Sequence, residues 1–143
     1  MQEEKHNAAL KEVDDAIEDA LSDTKGLLHR QRLLMAALSL GMQHVVEMWL
    51  HKSRAIKPGA TVKHDYFKSE ERRLKTRFSG LLTKDIGSLK GSSRIISLAR
   101  SIENSRDDII YGAPLTNDNI LREKIDAFFE LKKAVKETVG EIQ

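Results

Sequence analysis

The chain has 143 residues, 40% of them apolar and 32% charged, a length for one ordinary domain and a mixture that fills a core and coats it, which excludes global disorder. It has no cysteine, so disulfide staples, thiol catalysis and cysteine-ligated zinc or iron–sulfur centres are excluded. The net charge of +2 is unevenly spread: residues 1–24 carry −6, residues 25–56 +4, residues 57–106 +7 and residues 107–143 −3.

Acidic ends thus bracket a basic middle, the place to expect an anionic partner such as RNA, a nucleotide or an acidic protein surface. The alternative is that acidic and basic segments simply pack beside each other. No run approaches the roughly 18 uninterrupted apolar residues of a membrane span, and Met1-Gln2-Glu3-Glu4-Lys5 is acidic where a secretory signal would be basic and then apolar. The expectation is a cytoplasmic protein with no membrane partner. Two prolines and 5% aromatics point away from an all-β fold.

In chain order, Leu10, Val13, Ile17, Ala20 and Leu21 recur at spacings of one face of a helix that ends near Ser22. Asp23 or Thr24 is placed to cap a second helix, whose positions Leu27, Leu28, Leu34, Met35, Leu38, Met42, Val45, Val46 and Trp49 cover a wide face through about Lys52. A face that wide predicts the central helix. Its small residues Ala36, Ala37, Ser39 and Gly41 predict the close approach of a neighbour, since glycine inside a helix costs up to about 1 kcal/mol relative to alanine.

Ile56-Lys57-Pro58-Gly59-Ala60 predicts a turn, and a loop follows to about Asp65. A third helix is predicted from Phe67, Leu74, Phe78, Leu81 and Leu82, ending before Gly87 in a link that contains Ser88, Gly91, Ser92 and Ser93. The fourth, with Ile95, Ile96, Ala99, Ile102, Ile109 and Ile110, stops at Gly112 and Pro114. Leu115 and Ile120 flank Thr116 as a hydrophobic staple flanks an N-cap. The fifth helix repeats Leu121, Ile125, Phe128, Val135, Val139 and Ile142 nearly every 3.5 residues, a seam that packs on neighbouring helices. With no internal repeat, these elements predict one all-α domain over residues 1–143, an up-and-down bundle of four or five helices.

Most enzyme classes find no support: there is no glycine-rich phosphate loop, no recognisable Ser/His/Asp order and no paired-carboxylate motif. His44, Glu47 and His51 share one helical line, but two histidines seven apart lie about 10 Å apart along the axis, too far to share an ion without ligands from elsewhere. A solvated polar face is expected there, with no metal and no cofactor.

Two segments hold candidate site residues. Lys57, Lys63, His64, Lys68, Arg72 and Arg73 are interleaved with Tyr66 and Phe67, a mixture suited to phosphate contacts with base stacking, although Phe67 also fits the core stripe of the third helix. In the segment from Ile102 to Gly112, Arg106 falls four residues after Ile102 and four before Ile110, on or beside an apolar stripe where a guanidinium needs carboxylate or phosphate company. Asn104, Asp107 and Asp108 supply polar neighbours, and Tyr111 adds a hydroxyl at the helix end.

The layout of the whole chain and one signature on the fourth helix resemble the HEPN superfamily, helical domains of prokaryotic toxins and of partners of nucleotidyltransferases. Its signature is an arginine followed by a polar residue and, after four to six intervening residues, a histidine near the helix end, often before glycine. Arg106 and Asp107 match the first two, and Tyr111-Gly112 stands where His-Gly is expected. In the nuclease members the arginine steadies phosphate charge and the histidine transfers a proton in a dimer cleft, without metal. A phenol titrates near about 10 and an imidazole near about 6.5. The resemblance with tyrosine in that place implies a homodimer that binds RNA, a nucleotide or a nucleotidyltransferase-type protein, with little or no catalysis of its own. Two alternatives stand beside it: an active metal-independent RNase using Arg106, Asp107, Tyr111 and Asn104, and a purely structural or protein-interaction bundle.

Overall fold

The computed structural model describes residues 2–140; Met1 and residues 141–143, including the predicted seam position Ile142, lie outside the described residues. These form six α-helices, α1 (Gln2–Ser22), α2 (Gln31–Lys52), α3 (Glu71–Ser79), α4 (Ser92–Glu103), α5 (Arg106–Tyr111) and α6 (Asn119–Val139), with three short 3-10 turns. The nearest approach to a sheet among them is one antiparallel bridge between Ile56 and Leu82. The fold is an all-α helical bundle.

Leu10, Val13, Ile17 and Ala20 bury the apolar stripe of α1 as their spacing requires, while Leu21 is half-exposed. The second helix starts later than predicted, at Gln31. Asp23 does not cap it: its carboxylate accepts the Lys25 amide at 2.8 Å and pairs with His29 at 2.9 Å and Arg30 at 2.8 Å, bracing the 3-10 turn Leu27–Arg30. Those bonds, His29's first, hold the Asp23 carboxyl below the usual carboxylate range.

α2 is central and packs against α1, α4, α5 and α6. A Cβ on Gly41 would come within 2.7 Å of the Phe128 ring and 2.9 Å of Val13, so the close approach predicted from its small residues is made by α6 and α1 together. The stretch Leu27–Lys52 is long and apolar enough to cross a membrane by length and composition alone, but 67% of its most apolar window is buried inside the bundle.

The third helix is shorter than predicted. Residues His64–Lys68 form a 3-10 turn, Ser69 and Glu70 are extended, and α3 begins only at Glu71. The aromatic rings explain the break. In one continuous helix Phe67 and Phe78 would lie about 16 Å apart along the axis; here their ring centroids are 5.6 Å apart, with Tyr66 also edge-on to Phe78 at 5.7 Å. The turn folds back over α3 to bury Phe67.

The fourth helix is likewise two. Asn104 is extended and Ser105 left-handed, at φ 64°, between α4 and α5. The carbonyls freed by the break are answered by Lys124 of α6, whose Nζ donates to Ser101, Ile102 and Asn104. Arg106 therefore opens a new helix and does not continue the Ile102–Ile110 line. At the far end of α5, Arg32 of α2 donates to the Ile110 and Gly112 carbonyls at 3.0 and 3.2 Å. Gly112 is required there because a Cβ would run into the Asp108 carbonyl oxygen.

The predicted staple around Thr116 is absent. α6 begins at Asn119 with Asp118 in the cap position, and Ile120 is 42% exposed. Leu121, Ile125, Phe128 and Val135 are buried as predicted. The basic middle meets the acidic last helix where Arg94 of α4 lies on Glu130 of α6 at 2.7 Å, and the two acidic ends are tied to each other by Lys132 of α6 on Asp14 of α1 at 3.2 Å.

Candidate functional site

Two candidate segments that are far apart in sequence meet where the 3-10 turn His64–Lys68 packs against α4. The centre of the meeting is Glu103, on the apolar side of the last turn of α4 and only 1% exposed. A buried carboxylate must be fully hydrogen-bonded, and this one is held from two elements. Ser39 Oγ of α2 donates to Oε1 at 2.7 Å, and His64 Nδ1 lies 2.7 Å from Oε2. Gln43 Oε1 accepts the His64 amide at 3.0 Å, fixing the start of the turn. The His64 side chain is 31% exposed, so its ring reaches from a buried carboxylate toward solvent.

Beside this triad lies a cleft of about 440 Å³ lined by Phe67, Lys68, Ser97, Arg100, Ser101, Glu103, Asn104 and Ser105. Arg100 is half-buried, and its Nε is buried without a hydrogen bond among the described residues. Lys68 Nζ lies 2.6 Å from Asp107 Oδ2, while Arg106 donates to Oδ1 of the same carboxylate at 3.0 Å. Asp107 thus bridges the two cations, and hydrogen bonding from Lys68, then from Arg106, holds its carboxyl below the usual range. Arg106 is largely covered, its side chain 17% exposed, and its Nε also lacks a partner among the described residues. The cleft is rich in donors, and its one buried carboxylate already has both oxygens engaged. Such a lining suits a phosphate or another compact anion.

The structure thus gathers His64, Lys68, Asn104, Arg106 and Asp107. The other predicted residues lie differently. Tyr111, at the opposite end of α5, is 77% exposed. Lys57 is exposed and donates to the Gly80 carbonyl at 3.3 Å. Lys63, Arg72 and Arg73 are exposed, the last two on α3. Tyr66 packs on Phe78, with the Arg77 guanidinium 5.7 Å above its ring, and Phe67 is buried in the core; neither ring stands free for stacking.

Sequence reasoning missed Ser39, Arg100, Glu103 and Lys124. One signal was present: Glu103 falls four residues after Ala99 and seven after Ile96, on the apolar face of α4, where a carboxylate needs partners. The solvated face expected for His44, Glu47 and His51 is also corrected, since Glu47 is 7% exposed and both histidines are half-buried under α1.

No family model, no curated protein and no solved structure matches the chain.

Proposed function

We propose that the chain is an HEPN-like bundle that binds RNA through phosphate groups held in the cleft between the 3-10 turn and the α4–α5 break, without efficient cleavage of its own. The observation that carries this reading is the cleft lining: Lys68 and the partly buried Arg100 beside Asn104 and three serines, with Arg106 linked through Asp107. A guanidinium with an unmet buried N–H supports a ligand that brings acceptors. Tyr111, which occupies the place where the resemblance implies the proton-transferring histidine, is exposed at the opposite end of α5 from Arg106 and outside the cleft lining, which supports binding over catalysis.

One observation favours a second reading. His64, oriented by a buried carboxylate and partly exposed, has the arrangement of a general base with its positioning partner. It would supply the imidazole that the fourth-helix motif lacks, in a metal-independent RNase.

Both readings are tested on one sample. Labelled single-stranded RNA is titrated with the full chain at two salt concentrations, without metal, and the products are run on a gel. Binding that weakens with salt, a salt dependence reduced by roughly one phosphate contact in Lys68→Ala and again in Arg100→Ala, and intact RNA support the first reading. Cleavage lost in His64→Ala selects the second. Absence of RNA binding overturns both.

A further inference from the structure

The antiparallel packing of α1 on α2 brings three imidazoles and a carboxylate together away from the cleft. His6 comes from the first turns of α1; His44, Glu47 and His51 come from the second half of α2. His6 Nδ1 lies 2.8 Å from His44 Nδ1, the His6 and His51 ring centroids are 5.8 Å apart, and His51 Nε2 is 3.6 Å from Glu47 Oε1. One donor atom from each of His6, Glu47 and His51 lies within 4.8 Å of the other two. His6 is 2% and Glu47 7% exposed, and Nε2 of both His6 and His51 is buried without a hydrogen bond among the described residues.

Two unmet ring nitrogens facing one carboxylate in the interior are an unusual use of polar groups, because buried donors and acceptors are nearly always paired. We propose that His6, Glu47 and His51 bind one Zn²⁺ ion through the two Nε2 atoms and the Glu47 carboxylate, with water in the fourth position. Two nitrogens and one oxygen suit a borderline ion such as zinc, whereas magnesium and calcium prefer oxygen throughout.

The surrounding contacts fit a ligand set. For His6 to present the Nε2 lone pair, its proton must sit on Nδ1, where it is donated to His44 Nδ1; His44 then carries its own proton on Nε2. The second Glu47 oxygen faces the Val62 amide at 3.5 Å, leaving Oε1 toward His51. Donors around tetrahedral zinc sit about 3.4 Å apart, so the His51–Glu47 pair at 3.6 Å is already close to that spacing and no pair has to close by more than about 1.4 Å on binding. His51, with its side chain 28% exposed near the end of α2, is the group able to swing and the side from which an ion arrives. The His44–His51 spacing that was too long for one ion is bypassed because His6 supplies the second imidazole from another helix.

The test strips the full chain with a chelator and titrates it with Zn²⁺ by calorimetry and with Co²⁺ by visible absorption. One ion per chain and a tetrahedral Co²⁺ spectrum are expected. His51→Ala and Glu47→Gln should each weaken binding at least tenfold, with His44→Ala, a positioning change, weakening it less. His29→Ala, an exposed histidine engaged with Asp23, should leave binding unchanged. His6→Ala is read only if its circular dichroism matches the wild type; His51, at the rim, keeps the test decisive if it does not. Absence of one-equivalent binding, or wild-type affinity in both His51→Ala and Glu47→Gln, overturns the proposal.

Discussion

His64 Nδ1 stands 2.7 Å from Glu103 Oε2 while the other oxygen of the same carboxylate takes the Ser39 hydroxyl at 2.7 Å, so one buried anion joins α2, the 3-10 turn and α4. Replacing it strands both partners. Glu103→Ala should cost about 3 kcal/mol in urea unfolding, whereas Glu103→Gln, which can still accept from Ser39, should cost less. Equal stability of Glu103→Ala and the wild type would refute the view that the carboxylate anchors the turn.

Lys124 gives a pH signature. Burial pushes its ammonium down to about 8, against opposing attraction from Glu103 and Glu123. Between about pH 8 and the ordinary lysine value of about 10.4, the unfolded chain holds this proton and the folded chain has lost it, so stability from this group rises with pH across that window and is flat below it. Lys124→Met should remove that rise when unfolding free energies of the two proteins are compared from pH 7 to 10. Parallel curves for the two proteins would count against it.

Gly41 tests the packing of the three long helices. Gly41→Ala gains up to about 1 kcal/mol of helix propensity, but its methyl would press on Phe128 and Val13. The clash should win, with a net loss of about 1–2 kcal/mol by thermal or urea unfolding. A stabilised variant would mean that α6 shifts freely on α2.

The seam of α6 and the small residues of α2 are used within one chain: Phe128 and Val13 close on Gly41, and Leu121, Ile125 and Val135 are buried. What stays open on α2 is Leu33, 72% exposed, and Leu40, 43% exposed, seven residues apart and hence on one line. If two chains pair, this line is one apolar surface available to them, beside the exposed Leu21 of α1 and Phe129 of α6. Light scattering should then give twice the 16.2 kDa chain mass, and Leu33→Glu half of that. A wild-type monomer removes any site shared between two subunits.

The bundle was legible because Leu10 to Ala20, Leu34 to Trp49 and Leu121 to Val135 repeat with the helical period, and a strong period is a direct record of a buried face. The breaks were not. Phe67 and Phe78 fit one helical face equally well as one helix or as a turn folded onto a helix, and only their mutual contact decides. The division at Ser105 depends on Lys124, 19 residues further on, which no local pattern reveals. For the same reason Arg106 and Asp107 could be singled out from their own segment, while Ser39, Arg100 and His6 gained meaning only from residues far along the chain.

The division between α4 and α5 has one more implication. Gaps between helices often serve as hinges, bending because nothing prefers one angle over another. Here the left-handed Ser105 sits next to three carbonyls claimed by a single ammonium from α6, and Arg32 claims two more at the other end of α5. That makes the joint an elbow set at one angle, so a ligand entering the cleft meets a wall already in place and gives up little freedom in shaping it.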